Sequence, residues 1–291
     1  MSKEYIGHGG QISGTTKLVG LLGWPVEHSL SPLIHNAAFR AAGLDYSYVP
    51  LAVHPEKLAA AVSGLKAMGF VGVNVTVPHK VKIIEFLDVV DKSAKLVGAV
   101  NTIVFEDGLA TGYNTDMNGF VHSLQSENIG VRDKQVVLMG AGGASRALVC
   151  GFIEHGAASI MVGARSSVKT EEFSASFEDK RVIGCGWDSG DFAEAIKTCD
   201  ILVNCTPVGM YPNIGQEPPV DWALVPRQAI VGDIIYNPPL TKFLKTAHAA
   251  GHRVIDGAGM LVEQGALAFS LWTKQVPPRT IMHQALAAVI K

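Results

Sequence analysis

The chain has 291 residues, about twice a typical single-domain length, so it can bury a large core and is most simply divided into two domains. Hydrophobic residues make up 48% and charged residues 17%, against about 25% charged in average soluble domains, which excludes disorder for most of the chain. A formal charge of -2, from 24 Lys+Arg and 26 Asp+Glu, leaves no overall field to hold a polyanion, and nucleic acid is excluded as a main partner.

In chain order, Met1 to Thr16 carries Lys3, Glu4 and several glycines without an apolar segment, and no stretch of about 18 apolar residues follows, so neither export nor membrane insertion is expected. Lys17 to Leu22 reads as a buried strand. Ser31-Pro32 then offers a helix cap and a first-turn proline before Leu33, Ile34, Ala37, Ala38 and Ala41, with Gly43 as the stop. Tyr46 to Val53 reads as a second strand, Pro55 to Met68 as a helix closed by Gly69, and Gly72 to Val77 as a third strand entering a loop at Pro78-His79-Lys80. This alternation predicts a mostly parallel sheet covered by helices. Ala99 to Phe105 and Leu109 to Tyr113 flank the turn signal Glu106-Asp107-Gly108 and predict a β-hairpin.

From Asp116 to Asn128 the spacing is helical, with Phe120, Val121 and Leu124 on one face and Gly130 beyond the end, a natural bridge between domains. A second α/β series starts with a strand at Gln135 to Met139. It passes through a glycine turn and a helix from Ser145 to strands near Ser159 to Val162, Ile201 to Val203 and Ile230 to Ile235. Gly257 to Lys291 shows helical patterns at Met260 to Trp272 and His283 to Ile290, separated by Pro277-Pro278. Cys150, Cys185, Cys199 and Cys205 form no CxxC pair, and reduced thiols in a cytoplasm are expected. With no HExxH arrangement among the ten histidines, no metal site is expected.

The run Gly140-Ala141-Gly142-Gly143-Ala144-Ser145 lies between a strand and a helix, where a glycine turn brings backbone N–H groups and a helix N-terminus to a pyrophosphate. Ser145 replaces the third glycine of GxGxxG, and the competing reading is a plain tight turn. About 20 residues on, an NAD site would place an acid for the ribose 2′-hydroxyl. This chain has Ala164-Arg165-Ser166-Ser167 there, with Lys169 close by. A carboxylate would repel a 2′-phosphate, whereas a guanidinium pairs with it and stacks on adenine, so NADP(H) is expected over NAD. The alternative is that Arg165 only points to solvent.

In the first half, Ser29 and Ser31 follow a strand and suit a carboxylate, although Ser31 equally suits a helix cap. Glu27 is an acid close to that proposed carboxylate site. Asn74 and Thr76 alternate onto one face of the third strand, and Lys80 lies just past its end, where α/β folds place ligands. Lys80 reads either as a proton carrier or as a surface charge, and His79 competes as the base. Asn101, Asn114, Thr115 and Asp116 add polar groups at the hairpin ends, with Asp116 open to a capping role.

Eight blocks carry a resemblance when taken in order: HSLSPLIHN at 28 to 36, NVTVPHK at 74 to 80, GAVNTI at 98 to 103, GYNTD at 112 to 116, GAGGASRA at 140 to 147, NCTPVGM at 204 to 210, DIIYNPPLT at 233 to 241 and DGAGMLVEQGA at 256 to 266. Together they resemble the shikimate dehydrogenase family, which includes the quinate/shikimate enzymes. The resemblance implies an α/β fold with an N-terminal substrate-binding domain at 1-116, a Rossmann-type dinucleotide-binding domain at 117-256, and helices at 257-291 returning to the first domain.

It further implies NADPH-dependent reduction of 3-dehydroshikimate to shikimate, reversibly, in aromatic amino acid biosynthesis, by a cytoplasmic monomer or homodimer. The alternatives are quinate oxidation with NAD and a catalytically silent metabolite-binding module. By resemblance, Lys80 and Asp116 are the catalytic pair, and Ser29, Ser31, Thr76, Asn101, Asp116, Tyr236 and Gln264 contact the substrate. On the cofactor side it implies Gly140, Ala141, Gly142, Gly143, Ala144, Ala164, Arg165, Ser166, Ser167, Lys169, Thr206, Met210, Ile234, Gly257 and Met260. Ala164 departs from the family's usual Asn, removing one contact. Core packing is the competing reading for Met210 and Met260, and a simple turn for Gly257.

Overall fold

The structure is a computed structural model describing residues 12–290. For its first eleven residues, the expectation made for Met1 to Thr16 lies outside the described residues. The chain forms two compact units: the chain up to Thr115 with Gln264–Val289, and Asp116–Glu263. In chain order the first contains β1 (Lys17–Gly23), α1 (Ser31–Ala41), β2 (Tyr46–Ala52), α2 (Leu58–Ala67), β3 (Gly72–Val75), β4 (Val89–Val90), α3 (Lys92–Val97), β5 (Thr102–Glu106) and β6 (Leu109–Tyr113). The second holds α4 (Asp116–Ser126), β7 (Gln135–Met139), α5 (Gly143–Glu154), β8 (Ser159–Ala164), α6 (Ser167–Ala175) and β9 (Val182–Gly186). It continues with α7 (Gly190–Thr198), β10 (Ile201–Asn204), β11 (Ile230–Asp233), α8 (Lys242–Ala249) and β12 (Arg253–Ile255). The chain of α9 (Gly257–Thr273) passes from the second unit to the first, and α10 (Arg279–Ala287) belongs to the first.

The first sheet runs β2-β1-β3-β5-β6-β4. β1 lies parallel to both β2 and β3, while β5 and β6 form an antiparallel hairpin. Asp107 and Gly108 close that hairpin with φ of 50° and 74°, the pair of positive values that a two-residue turn needs to match strand twist. Both faces of the sheet are covered, so β3 is buried at every position, Asn74 included. Leu22, Val73 and Ile103 face Leu58, Val62, Leu65 and Ile83 on one side. On the other, Phe39 of α1 stacks on Phe269 of α9 at 5.4 Å, and α1 packs against α10.

Several boundaries differ from the sequence expectation. β3 ends at Val75 rather than Val77, as the chain turns through Pro78 and the His79 N–H closes onto the Thr76 carbonyl. The first turn expected of the Pro55 helix is a separate 3-10 turn at Pro55–Lys57. α10 starts at Arg279, not His283, because Pro278 takes the position before it and needs no N–H partner there.

In the second unit all six strands are parallel, in the order β12-β11-β10-β7-β8-β9. The order reverses between β7 and β10, and the strand ends on either side of such a reversal form the usual ligand crevice. Apolar clusters cover both faces, one around Phe120, Leu138, Leu148 and Phe152, the other around Met139, Leu202, Val231 and Phe243. Among the described residues no helix is long and apolar enough to cross a membrane.

Candidate active site

In the first unit the polar groups gather at the C-terminal ends of β1 and β3. Ser31 is the first residue of α1, and Leu30 occupies the cap position without a side-chain bond. The capping reading of Ser31 is thereby corrected: the Ser29 Oγ accepts the Ser31 N–H at 3.2 Å. The Ser31 hydroxyl instead hydrogen-bonds the buried Tyr48 phenol, which burial drives far above its ordinary pKa. Tyr48 in turn donates to Asn74 Oδ1 at 2.9 Å. Glu27 is exposed, and its carboxylate accepts the Val26 N–H at 3.1 Å.

Asn74 is buried and ties this group to the hairpin, with Nδ2 donating to Thr102 Oγ1 at 3.0 Å and to the Asn101 carbonyl at 3.2 Å. Asn101 is held just as firmly. Its Oδ1 accepts the Thr115 N–H at 2.7 Å, and its Nδ2 donates to Thr115 Oγ1 at 2.9 Å. The network thus fixes the chain at Thr115, one residue before Asp116, which opens α4 half-buried.

Lys80 is half-buried, and its carbonyl accepts the Val100 N–H at 2.7 Å, so its backbone is anchored beside Asn101. His79 is buried, with Nε2 2.8 Å from the Val53 carbonyl. A carbonyl can only accept, so that nitrogen carries the proton, and His79 serves as a strut between loops rather than as a base. Thr76 is half-buried at the start of the same loop. Ser29, Ser31, Thr76, Lys80 and Asn101 therefore all lie in the first unit, as does the half-buried Gln264. Tyr236 belongs to the second, half-buried just after β11, its phenol pKa raised by burial.

In the second unit the glycine turn leaves β7 at Gly140, whose φ of 110° is open to glycine, and where a Cβ would stand 2.9 Å from Thr206 Cγ2. Gly142 occupies the cap position of α5, so the helix begins at Gly143, two residues before the expected start at Ser145. Gly142 and Gly143 are exposed, and a Cβ on either would meet nothing. That leaves a bare cradle at the N-terminus of a twelve-residue helix, flanked by half-buried Ala141 and Ala144. Ser145 is fully buried and hydrogen-bonds Cys205, so its side chain fills the tight approach between α5 and β10.

β8 ends at Ala164, followed by an exposed Arg165. Ser166 caps α6, its Oγ accepting the Lys169 N–H at 3.4 Å, and Ser167 and Lys169 are exposed beside it. No acid stands between 164 and 169. An exposed cation at a helix N-terminus, with no carboxylate to oppose a second phosphate, fits NADP(H). Thr206 and half-buried Ile234 follow β10 and β11, and Met210 is 46% exposed, which removes the core-packing reading for it. Met260 is different: it is buried within the apolar core of the second unit. Gly257 is more than a turn, since a Cβ there would collide with the Ile234 carbonyl.

Sequence reasoning passed over the roles of Tyr48, Asn204, Asp233 and Thr241. Tyr48 reads as a core aromatic of a strand, and only pairing across the sheet reveals its hydroxyl contacts. The four cysteines are buried and free, and burial raises their thiol pKa values, to about 11 for Cys150 and about 12 for Cys199. Among the described residues no cluster of three His, Cys, Asp or Glu side chains has the makings of a metal site.

Three family models match the chain: the shikimate dehydrogenase substrate binding domain at residues 21–103, shikimate / quinate 5-dehydrogenase at 123–211, and the shikimate 5'-dehydrogenase C-terminal domain at 257–287. Shikimate dehydrogenase (NADP(+)) of Methanopyrus kandleri is 42% identical over 279 residues, covering 94% of this chain and 96% of its own. A crystal structure of a shikimate dehydrogenase in complex with NADP+ superposes with a TM-score of 0.90 at 43% identity, over 98% of this chain and 99% of that one. Shikimate 5-dehydrogenase from Listeria monocytogenes, in complex with shikimate and NAD, also gives 0.90, at 34% identity over 95% of this chain and 98% of that one.

Proposed function

Because the chain belongs to the shikimate dehydrogenase family, we propose that it interconverts 3-dehydroshikimate and shikimate with NADP(H), an oxidoreductase step on a CH–OH group in aromatic amino acid biosynthesis. The observation that carries this reading is the anchored polar framework of the first unit, in which the Lys80 carbonyl is tied to the Val100 N–H beside Asn101, Asn101 to Thr115, and the Ser29 Oγ to the Ser31 N–H. Residues 1-116 are read as the substrate domain, 117-256 as the NADP domain and 257-291 as the returning helices.

Lys80 would give the proton to the substrate oxygen in reduction and take it back in oxidation. Asp116 would orient that exchange and accept a hydrogen bond from a ring hydroxyl. Ser29, whose oxygen already accepts from the Ser31 N–H, keeps its proton to donate to the substrate carboxylate. Ser31 would turn its hydroxyl from Tyr48 to the same group. Thr76, Asn101, Tyr236 and Gln264 complete the polar set for a polyhydroxylated ring. Asn101 has a second Nδ2 hydrogen beyond the one given to Thr115.

The bound nicotinamide supplies or accepts the hydride. Gly140 to Ala144 would hold its pyrophosphate by backbone N–H groups. Arg165, with Ser166, Ser167 and Lys169, would hold the 2′-phosphate, and Ala164, Thr206, Met210, Ile234 and Gly257 would line the remainder, Met260 staying within the core. Buried, free cysteines fit a reducing cytoplasm. The test is an assay of shikimate and quinate, each with NADP and NAD, following absorbance of the reduced nicotinamide. The highest kcat/KM is expected for shikimate with NADP. Preference for quinate with NAD, or no turnover with any pair, overturns the reading.

A further inference from the structure

Asp233 ends β11 and is fully buried, yet among the described residues no cation bonds its carboxylate. Its three donors come from the loop after β11, the end of β10 and a helix cap. Oδ1 accepts the Ile235 N–H at 3.0 Å. Oδ2 accepts Asn204 Nδ2 at 3.1 Å and the hydroxyl of Thr241, the cap of α8, at 2.8 Å. Asn204 is itself fully buried at the end of β10. Its Oδ1 accepts both the N–H and the hydroxyl of Thr206, at 2.9 and 2.7 Å, and its Nδ2 also donates to the Val208 carbonyl at 3.3 Å. The Ile234 N–H completes the tie by donating to the Asn204 carbonyl at 3.1 Å. One carboxylate therefore sets the register between the loop carrying Thr206 and Met210 and the loop carrying Ile234 and Tyr236.

We propose that Asp233 is a positioning residue for dinucleotide binding: through Asn204 and the Ile235 N–H it holds these two loops in the one arrangement that receives NADP(H). The inference rests on the reading of those loops as the cofactor's lining. A carboxylate suits the task because it is acceptor-only and meets three donors converging from different segments. An amide in its place puts one NH2 against the Asn204 amide or the Thr241 hydroxyl. The charge is retained at a cost to the fold, since burial pushes the Asp233 carboxyl up to about 6 even against its three hydrogen bonds. A group kept only for folding would be better uncharged.

The test uses the full chain and Asp233→Asn, with NADPH affinity measured by fluorescence titration in the absence of substrate and melting followed at pH 7.5. The expected result is at least a ~10-fold rise in Kd with no fall in melting temperature, because the substitution removes a buried charge while spoiling the loop register. Unchanged affinity overturns the proposal, and so does a melting temperature lower by several degrees, which would make the residue structural. The exchange Asn204→Asp with Asp233→Asn restores one acceptor facing one donor. It is expected to recover affinity to within ~2-fold of the parent even if Asp233→Asn alone does not fold. Failure of the exchange to recover binding, or failure of both variants to fold, overturns the proposal. Arg165→Ala, measured in parallel, separates the two levels of argument. Unchanged NADPH affinity there removes the underlying cofactor reading, whereas a loss there beside an unaffected Asp233→Asn removes only this network's role.

Discussion

Lys80 and His79 are neighbours in the chain, and hydrogen bonding assigns them different work. The imidazole is spent on the Val53 carbonyl, while the Lys80 backbone is held by the Val100 N–H donating to its carbonyl, and in the proposed function its side chain meets a substrate oxygen. Lys80→Ala is expected to cut kcat by at least ~10²-fold, the usual worth of a positioned acid-base group, with the KM for shikimate changing little. Steady-state kinetics with near-normal turnover would remove Lys80 from the chemistry. Arg165 is the residue proposed to hold the cofactor's 2′-phosphate. It is exposed, so Arg165→Ala should leave folding intact and raise the KM for NADPH at least ~10-fold while barely moving that for NADH. Equal shifts for the two cofactors would mean that Arg165 does not read the 2′-phosphate. Both residues were visible in the sequence because each stands just past a strand end. Tyr48 and Asp233 were not, because their roles depend on partners 26 residues away (Asn74) and 29 residues away (Asn204), which only sheet pairing brings together.

Elements were legible where period and punctuation agreed. β1, β2, the β5–β6 hairpin and the β7 turn all follow from apolar runs bounded by glycine, proline or Asp-Gly. β9 was not, since Val182-Ile183-Gly184-Cys185-Gly186 holds two glycines and exposes Ile183. Its place at the sheet edge comes from pairing with β8 and not from its own pattern. α9 presents a related case, a long apolar helix whose first residues pack in the second unit and whose end packs in the first. The end is held by Trp272, buried against Gly72, with its Nε1 donating to the Ile103 carbonyl at 3.0 Å. Trp272→Phe removes that donor and leaves a void beside β3. Loss of a buried hydrogen bond together with a cavity is expected to cost about 2 to 4 kcal/mol. Urea unfolding followed by a probe in the first unit should show a lower midpoint at unchanged slope, and an unchanged midpoint would mean that Trp272 does not anchor the returning helix.

At the scale of the whole molecule, the two units carry buried ionisable groups of opposite sense. In the first, His35 is fully buried, stacked on Tyr48 at 4.6 Å, and burial alone holds its pKa at about 3. An unfolded histidine binds its proton near pH 6.5, so the unfolded state gains protons first on acidification, and this unit loses stability as pH falls below about 6.5. In the second, Asp233 has its folded value raised to about 6 from 3.8. The stability linked to its proton is therefore present near pH 4 and lost as pH rises through 6. The carboxylates held low by partners, Asp88 and Asp91 in one unit and Asp179 and Asp200 in the other, titrate below this range and do not set its sign. Between pH 6.5 and 4.5 each of the two buried groups shifts its own unit by about 2 kcal/mol, in opposite directions. Hydrogen exchange reads each unit through its most protected amides. Protection factors in β1 and β3 should fall by about 30-fold across that interval, while those in β10 and β11 hold or rise. A parallel fall in both units would mean that neither His35 nor Asp233 governs the response, and His35→Phe should abolish the drop in the first unit alone.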